Sequence, residues 1–287
     1  MAPRPRLTAW TFGIALAPLQ QIQIPSTSRS RQHNQAGAHP RSLSMEGITM
    51  MILNSPATQR VTNEAVIFGE LLDFTGAHVI ELGCGAAAMT RLIAKEGNPA
   101  SILACEVDGI QHDKNLDLDV PSNIRFALAG AEDIPAENGC ADIVIMFKSL
   151  HHVPEESLPK ALSEIHRVLK PGGLAYFSEP VFDGDFNEVM RIFHDEEHAR
   201  RTAFQALEVA VSSGQFELVC QRFFEVPRRF DSFEAFERRM INVTHTDHRL
   251  CAETIAQIRS KFLEYAAPYG GAELTAPMRV DLLRRMA

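Results

Sequence analysis

An apolar run from His78 to Leu82 stops at Gly83-Cys84-Gly85, and a helical pattern opens at Met89-Thr90-Arg91-Leu92-Ile93-Ala94. Strand, glycine turn and helix in that order constrain this chain more than any other stretch. Glycine lacks a Cβ, so it accepts positive φ and lets a ligand lie against bare backbone. The helix start behind it offers unpaired N–H groups and a partial positive charge. Such a turn suits a nucleoside-bearing cofactor. Gly83-x-Gly85-x-x-Ala88 also fits the dinucleotide fingerprint, and a tight turn that binds nothing is the plainer alternative. Glu81, two residues ahead of the first glycine, separates the cofactors. A carboxylate there repels a pyrophosphate and attracts an ammonium.

Around this turn strands and helices alternate. Residues 56–74 carry apolar spacing for an opening helix over the cofactor mouth, ended by Gly76. Buried strands are predicted over 101–106, 123–128, 141–147 and 174–178, with helices over 109–118 and 158–170, the latter stopped by Pro171-Gly172-Gly173. Such alternation implies right-handed crossovers and a parallel sheet covered on both faces. Past Pro180 the pattern changes: helices over 186–201, 203–212, 232–242 and 252–265, strands at 216–226 and 274–285. The helices in that part would form a cap over the carboxyl ends of the strands, where ligands sit in open α/β sheets.

Glu106 ends the second strand, 21 residues after Gly85. An acid there accepts both hydroxyls of a ribose, a device that dinucleotide enzymes share. A solvated strand-end carboxylate is the plainer reading, and Asp108 is the alternative ribose acid. His151 and His152 follow the fourth strand. A histidine can take a proton from a nucleophile, but a loop-shaping, packing role fits the pair as well. His194 and His198 stand one helical turn apart without the H-E-x-x-H pattern. Neither they nor His245 and His248 are read as metal ligands, so no metal is expected.

Glu81-Leu82-Gly83-Cys84-Gly85 resembles the first motif, D/E-x-G-x-G, of class I S-adenosylmethionine (SAM) methyltransferases, here of the methyltransferase type 11 kind. The third glycine common in that family is Ala87, which implies a minor adjustment. Residues 127–135, Ala-Leu-Ala-Gly-Ala-Glu-Asp-Ile-Pro, resemble the third motif, with Gly130 where the family has its adenine-binding aspartate. Phe147-Lys-Ser-Leu-His-His-Val-Pro154 together with His166-Arg-Val-Leu-Lys-Pro-Gly-Gly173 resembles the family's s-x-L-H-H-V and R-x-L-K-P-G-G, the most specific pairing in the chain. The resemblance covers about residues 60–180.

It implies a doubly wound, mostly parallel seven-stranded α/β sheet of Rossmann-like class, closed by an antiparallel pair, with helical cap insertions in the C-terminal part. It implies SAM as cofactor and a small-molecule methyl acceptor under the cap. Glu81, Gly83, Cys84 and Gly85 would hold the methionine part, Glu106 the ribose, and Val107 the adenine. The Ala131 backbone would reach an adenine nitrogen. Glu132 would stand in for the missing aspartate, and Phe147 completes the set. His151 and His152 remain the catalytic candidates. Two rivals stand beside this reading: an NAD(P)-dependent oxidoreductase, and a non-catalytic SAM-binding protein of the same fold.

Composition bounds the rest. Over the 287 residues, 45% are apolar and 22% charged, a globular profile. Net charge is -8; residues 1–44 hold five arginines and no acid, which leaves -13 on the rest. An acidic body disfavours nucleic acid. Five cysteines without a C-x-x-C pair suit reduced, cytoplasmic thiols. No apolar run approaches a membrane span of roughly 18–20 residues. Residues 1–44 read as a disordered extension or an organellar transit peptide ahead of a methyltransferase domain at 45–287. Within that domain, about 60–180 would bind the cofactor and about 181–273 would hold the acceptor.

Overall fold

The structure is a computed structural model that describes residues 44–45, 48–54, 60–242, 248–268 and 271–287. The expected extension over 1–44 thus falls almost wholly outside the described residues. Two short strands, β1 (Ser44–Met45) and β2 (Ile48–Thr49), pair antiparallel. Then follow β3 (Arg60–Val61), α1 (Glu64–Leu71), β4 (His78–Leu82), α2 (Ala88–Glu96), β5 (Ser101–Glu106), α3 (Gly109–Leu116), β6 (Ile124–Leu128), β7 (Ala141–Phe147) and α4 (Leu158–Val168). The C-terminal part comprises β8 (Leu169–Pro180), α5 (Gly184–Met190), α6 (Glu197–Ser212), β9 (Phe216–Phe230), α7 (Phe233–Phe236), α8 (Ala252–Glu264) and β10 (Ala272–Arg285).

The main sheet has the order β3-β9-β10-β8-β7-β4-β5-β6. Strands β4 to β8 are parallel, and β10 runs antiparallel to both β8 and β9. The seven expected strands are present, and the two-residue β3 adds an eighth at the edge, parallel to β9. Alternation along the strands assigns the faces. Ile143, Ile145, Val79 and Ile102 join one apolar cluster with Ile67, Phe68 and Ile93 of α1 and α2. Val144, Met146, Ile80 and Leu82 join the other, with Leu162 and Ile165 of α4 and Phe204 and Leu207 of α6. A third cluster, with Phe230, Phe233, Phe236, Ile258 and Phe262, belongs to the cap.

Several boundaries differ from expectation. The opening helix is shorter, because the Asn63 side chain caps it, accepting the Val66 N–H at 3.1 Å, and the chain turns extended at Leu72. Pro171-Gly172-Gly173 does not stop the helix, which ends at Val168. It is a bulge inside β8, whose pairing with β7 jumps between Ala141 and Ile143, and Gly172 takes φ 79. The helix expected over 186–201 is two helices, α5 and α6. Their junction at 191–196 includes a turn in which the Asp195 carboxylate accepts the Glu197 N–H. The closing strands are longer than expected, 15 residues for β9 and 14 for β10.

On β10 the buried Arg279 and Asp281 pair at 2.8 Å. Gln221 of β9 adds a bond to Asp281 at 2.6 Å, and Arg279 reaches the Leu53 carbonyl at 3.1 Å, drawing residues 51–53 onto the sheet. Removing one member of a buried pair strands the other charge, at about 3–5 kcal/mol. Arg279→Met should therefore lower unfolding free energy by about that amount, and adding Asp281→Leu should recover most of the loss. Denaturant midpoints of the two variants check this.

Candidate active site

Strand order reverses between β4 and β7: β5 and β6 lie to one side, β7 and β8 to the other. Ligands in open α/β sheets sit at the carboxyl ends of strands flanking such a reversal. The glycine turn leaves β4 at that point, and the loop Lys148-Ser149 leaves β7 beside it. The two are tied together, because the Ser149 hydroxyl donates to the Leu82 carbonyl at 2.8 Å. Gly83 has φ 74, and a Cβ there would stand 2.6 Å from the Ser149 Cβ. Only glycine fits that approach.

Gly85 is held from both sides. Its N–H donates to Glu106 Oε2 at 2.8 Å, and its carbonyl accepts from the buried Asn115 of α3 at 2.7 Å. Glu106 is fully buried, and its other oxygen accepts the N–H groups of Val107 and Asp108 at 2.8 and 2.9 Å. A carboxylate has about four lone-pair sites, so Glu106 keeps roughly one for a ligand. Asp108 instead caps α3, accepting the Ile110 N–H. Glu81 is buried too, and accepts the Thr90 hydroxyl at 2.6 Å. Burial pushes its carboxyl up to about 7, the Thr90 bond opposes this, and the Glu106 charge adds to it. Cys84 is buried in the same turn, and burial, Glu81 and Glu106 together hold its thiol protonated.

Ala87 is left-handed, at φ 57 and ψ 31, just before α2. The replacement of the family's third glycine is thus more than a minor adjustment, since a left-handed non-glycine residue carries roughly 1–2 kcal/mol of strain. Val107 is exposed and Ala131 is buried. Glu132 folds its carboxylate back over Gly130, so a Cβ there would collide with both its oxygens. The Phe147 ring packs in the core between Phe68 and Tyr176.

His151 is buried, and its Nδ1 is bonded to Glu179, which also accepts the Leu150 N–H at 2.9 Å. Its Nε2 lies 3.7 Å from Glu196. Burial alone would lower the pKa of this imidazole; the two carboxylates prevail and raise it to about 9. His151 is therefore protonated at neutral pH and cannot act as a base. His152 stacks on it at 4.0 Å, and burial together with the His151 charge holds it neutral. Among the described residues His151, His152 and Glu196 have metal-ligand spacing, with ligand atoms within 4.8 Å of one another. Glu196, however, already accepts from His194 at 2.8 Å and Arg200 at 2.6 Å, so its carboxylate is taken up by these partners.

His194 and His198 do not share a helix face as their spacing suggested, because α6 begins at Glu197. His198 instead meets Glu155 at the surface. His245 lies outside the described residues, and His248 packs edge-on against Phe193 and His194.

Next to the Lys148 loop and under the cap lies a cavity of about 790 Å³, part of it open to solvent, with Lys148, His151, Phe186, Arg228, Phe230 and Met278 among its lining. Several of its parts escaped sequence reasoning. Glu179 sits at the end of a strand and Lys148 immediately after one, which is a usable signal. Glu64, Glu196 and Arg228 carry no motif.

Residues 79–173 match the family described as "Methyltransferase domain". This stretch is similar to the class I methyltransferases. That family uses SAM as its methyl donor. The chain is 30% identical over 119 residues to the ubiquinone/menaquinone biosynthesis C-methyltransferase UbiE of Vibrio vulnificus, across 38% of this chain and 44% of that protein. It is 27% identical to a ubiquinone biosynthesis O-methyltransferase of Xanthomonas oryzae, across 37% and 44%. It thus spans less than half the length of these curated relatives. The crystal structure of the Bacillus YcgJ protein superposes with TM-score 0.55 at 16% identity, covering 78% of this chain and 97% of that one, a likeness of fold. No helix among the described residues is long and apolar enough to cross a membrane.

The charge state of His151 gives this methyltransferase domain a pH signature. A folded pKa near 9 against about 6.5 unfolded adds stability that is complete below pH 6.5 and fades as pH rises through 9. At 1.36 kcal/mol per unit this is at most roughly 3 kcal/mol. Denaturant midpoints should fall between pH 7 and 9.5, and His151→Gln should flatten the fall. The residual slope belongs to Cys84 and Cys105, whose thiols burial holds above their ordinary range.

Proposed function

We propose that this chain transfers the methyl group of SAM to a small-molecule acceptor bound in the cavity under the cap. The observation that carries the reading is the placement of the glycine turn and two buried acids, Glu81 and Glu106, at the strand-order reversal, next to the cavity under the cap. A carboxylate at Glu81, ahead of the glycine turn, repels a pyrophosphate, so the dinucleotide rival is not favoured. The donor's ammonium would lie toward Glu81 and its ribose toward the remaining lone pair of Glu106. Val107 and the Ala131 backbone would flank the adenine, with the Glu132 carboxylate above Gly130 taking the place of the family's aspartate.

The sulfonium carbon is already electrophilic, so the protein's task is to align donor and acceptor and to exclude water. Proximity of this kind lowers barriers by several kcal/mol. His151, fixed as a cation between Glu179 and Glu196, positions the loop after β7. The neutral His152 is the histidine able to accept a proton from an acceptor that needs to lose one. Residues 45–287 act as one methyltransferase domain, with 1–44 an extension outside it. The cysteines Cys84, Cys105, Cys140, Cys220 and Cys251 are all free, which supports a reducing, cytoplasmic setting. The acidic body supports a small molecule rather than nucleic acid as partner.

Calorimetric titration with S-adenosylhomocysteine tests the donor side. Hydrogen bonds to charged groups contribute about 1.5–3 kcal/mol, so Glu106→Gln should weaken binding at least about tenfold. Asp108→Ala should cost about 1 kcal/mol of stability through the lost helix cap and little affinity. Binding unchanged in Glu106→Gln but lost in Asp108→Ala would move the ribose to Asp108. Incubating metabolite extracts with methyl-labelled SAM tests transfer itself. Tight binding of S-adenosylhomocysteine with no labelled product from any extract would favour the non-catalytic rival.

A further inference from the structure

Several charged groups around the cavity already have partners among the described residues. Glu64 is buried beneath it and takes the Tyr176 and Ser178 hydroxyls at 2.7 and 2.8 Å, with the Lys148 ammonium at 4.0 Å. Lys148 reaches this place from a left-handed backbone, φ 54, a conformation uncommon for a side chain that branches into a site. Glu196 is occupied by His151, His194 and Arg200. Asp183 sits at the exposed rim and accepts the Gly184 N–H.

Arg228 has no such counterpart. It projects from β9 into the lining, 5.8 Å from the Phe186 ring. Among the described residues no carboxylate stands within ion-pair distance of it, and its buried Nε has no hydrogen-bond partner. The charges that act on it are a second guanidinium, Arg239, which donates to the Arg229 carbonyl and lies over the Phe230 ring, and, more weakly, the Glu64 carboxylate already engaged by Tyr176 and Ser178. Arginine cannot shed its proton, and a buried charge without a partner is costly. Both guanidinium groups line the cavity, together with Phe186, Met190, Phe230, Met240 and Met278.

We propose that the cavity takes an acceptor carrying a carboxylate on an apolar body, with the carboxylate on Arg228 and Arg239 and the apolar part against Phe186, Phe230 and Met278. A planar guanidinium presents paired N–H donors that match a carboxylate. One guanidinium without a carboxylate partner, with a second in the same lining, suits a single negative charge. The proposal rests on reading this cavity as the acceptor site, and it is tested by binding alone, so it stands or falls separately from methyl transfer.

The probes are 4-phenylbutyrate, its neutral amide and 4-phenylbutyl phosphate, titrated calorimetrically into the full chain with and without S-adenosylhomocysteine. The carboxylate should bind at least about tenfold more tightly than the amide, and no less tightly than the phosphate. Arg228→Met should reduce that ratio to about twofold or less, while leaving amide binding unchanged. Arg228→Lys, which keeps the charge and loses the fork, should retain part of the preference, and Arg239→Met should lower it. Thermal melts establish that each variant is folded; should Arg228→Met fail to fold, the Lys and Arg239 variants decide. Equal binding of acid and amide, absence of binding by both, tighter binding of the phosphate, or an undiminished ratio in the arginine variants would overturn the proposal. A carboxylate preference in a chain that ignores S-adenosylhomocysteine would instead overturn the donor assignment.

Discussion

The carboxylate of Glu106 is the fastening on which the donor side depends. From a fully buried position it accepts N–H groups of Gly85, Val107 and Asp108. Those three belong to the turn after β4, the end of β5 and the cap of α3. One side chain thus fixes two strand ends and a helix start relative to each other. Charge-assisted bonds of this kind are about twice as strong as neutral ones. They hold open a turn whose residues include two left-handed glycines and a left-handed alanine. The strain in the turn persists because its surroundings over-determine it.

The acceptor side is built on a different principle. Its polar groups form a chain from Glu179 through His151 to Glu196 and on to His194 and Arg200. Each member has its partner, as a network in low dielectric requires. This chain links the loop after β7 to the turn before α6, so the cap and the sheet meet through charge rather than through apolar packing alone. Arg228, which belongs to no such chain, is the exception that gives the cavity its sign.

Much of the donor side was legible in the sequence because it depends on local rules. An apolar run, a pair of glycines and an acid at a fixed offset are enough to place β4, its turn and Glu106. The strands 101–106 and 141–147 were bounded correctly because buried parallel strands read as unbroken apolar runs. What escaped was non-local. Nothing near Pro171-Gly172-Gly173 says that the bulge is paired with β7, since that depends on register with a distant strand. The break between α5 and α6 falls at the polar run His194-Asp195-Glu196-Glu197-His198, a signal that the expected single helix passed over. Glu64, Glu196 and Arg228 come together only through the cap, from three separate elements, and no spacing in one dimension encodes that meeting. Ala87 shows the opposite case: the position was noticed, and its cost was underrated because the backbone angle was not visible.

The long antiparallel pair of β9 and β10 serves both the sheet and the cap. Its near half packs Phe224, Val280 and Leu282 into the sheet's own core. Its far half carries Phe230 and Leu274 into the separate cluster of the cap. The two ends of one ribbon therefore answer to two cores that hardly share side chains. For a lineage under selection this is a division of labour. Changes among residues of the cap can reshape the cavity without disturbing the glycine turn. The family match ends at residue 173, before the first residue of the cap's core, which is where a chain built in this way is free to diverge.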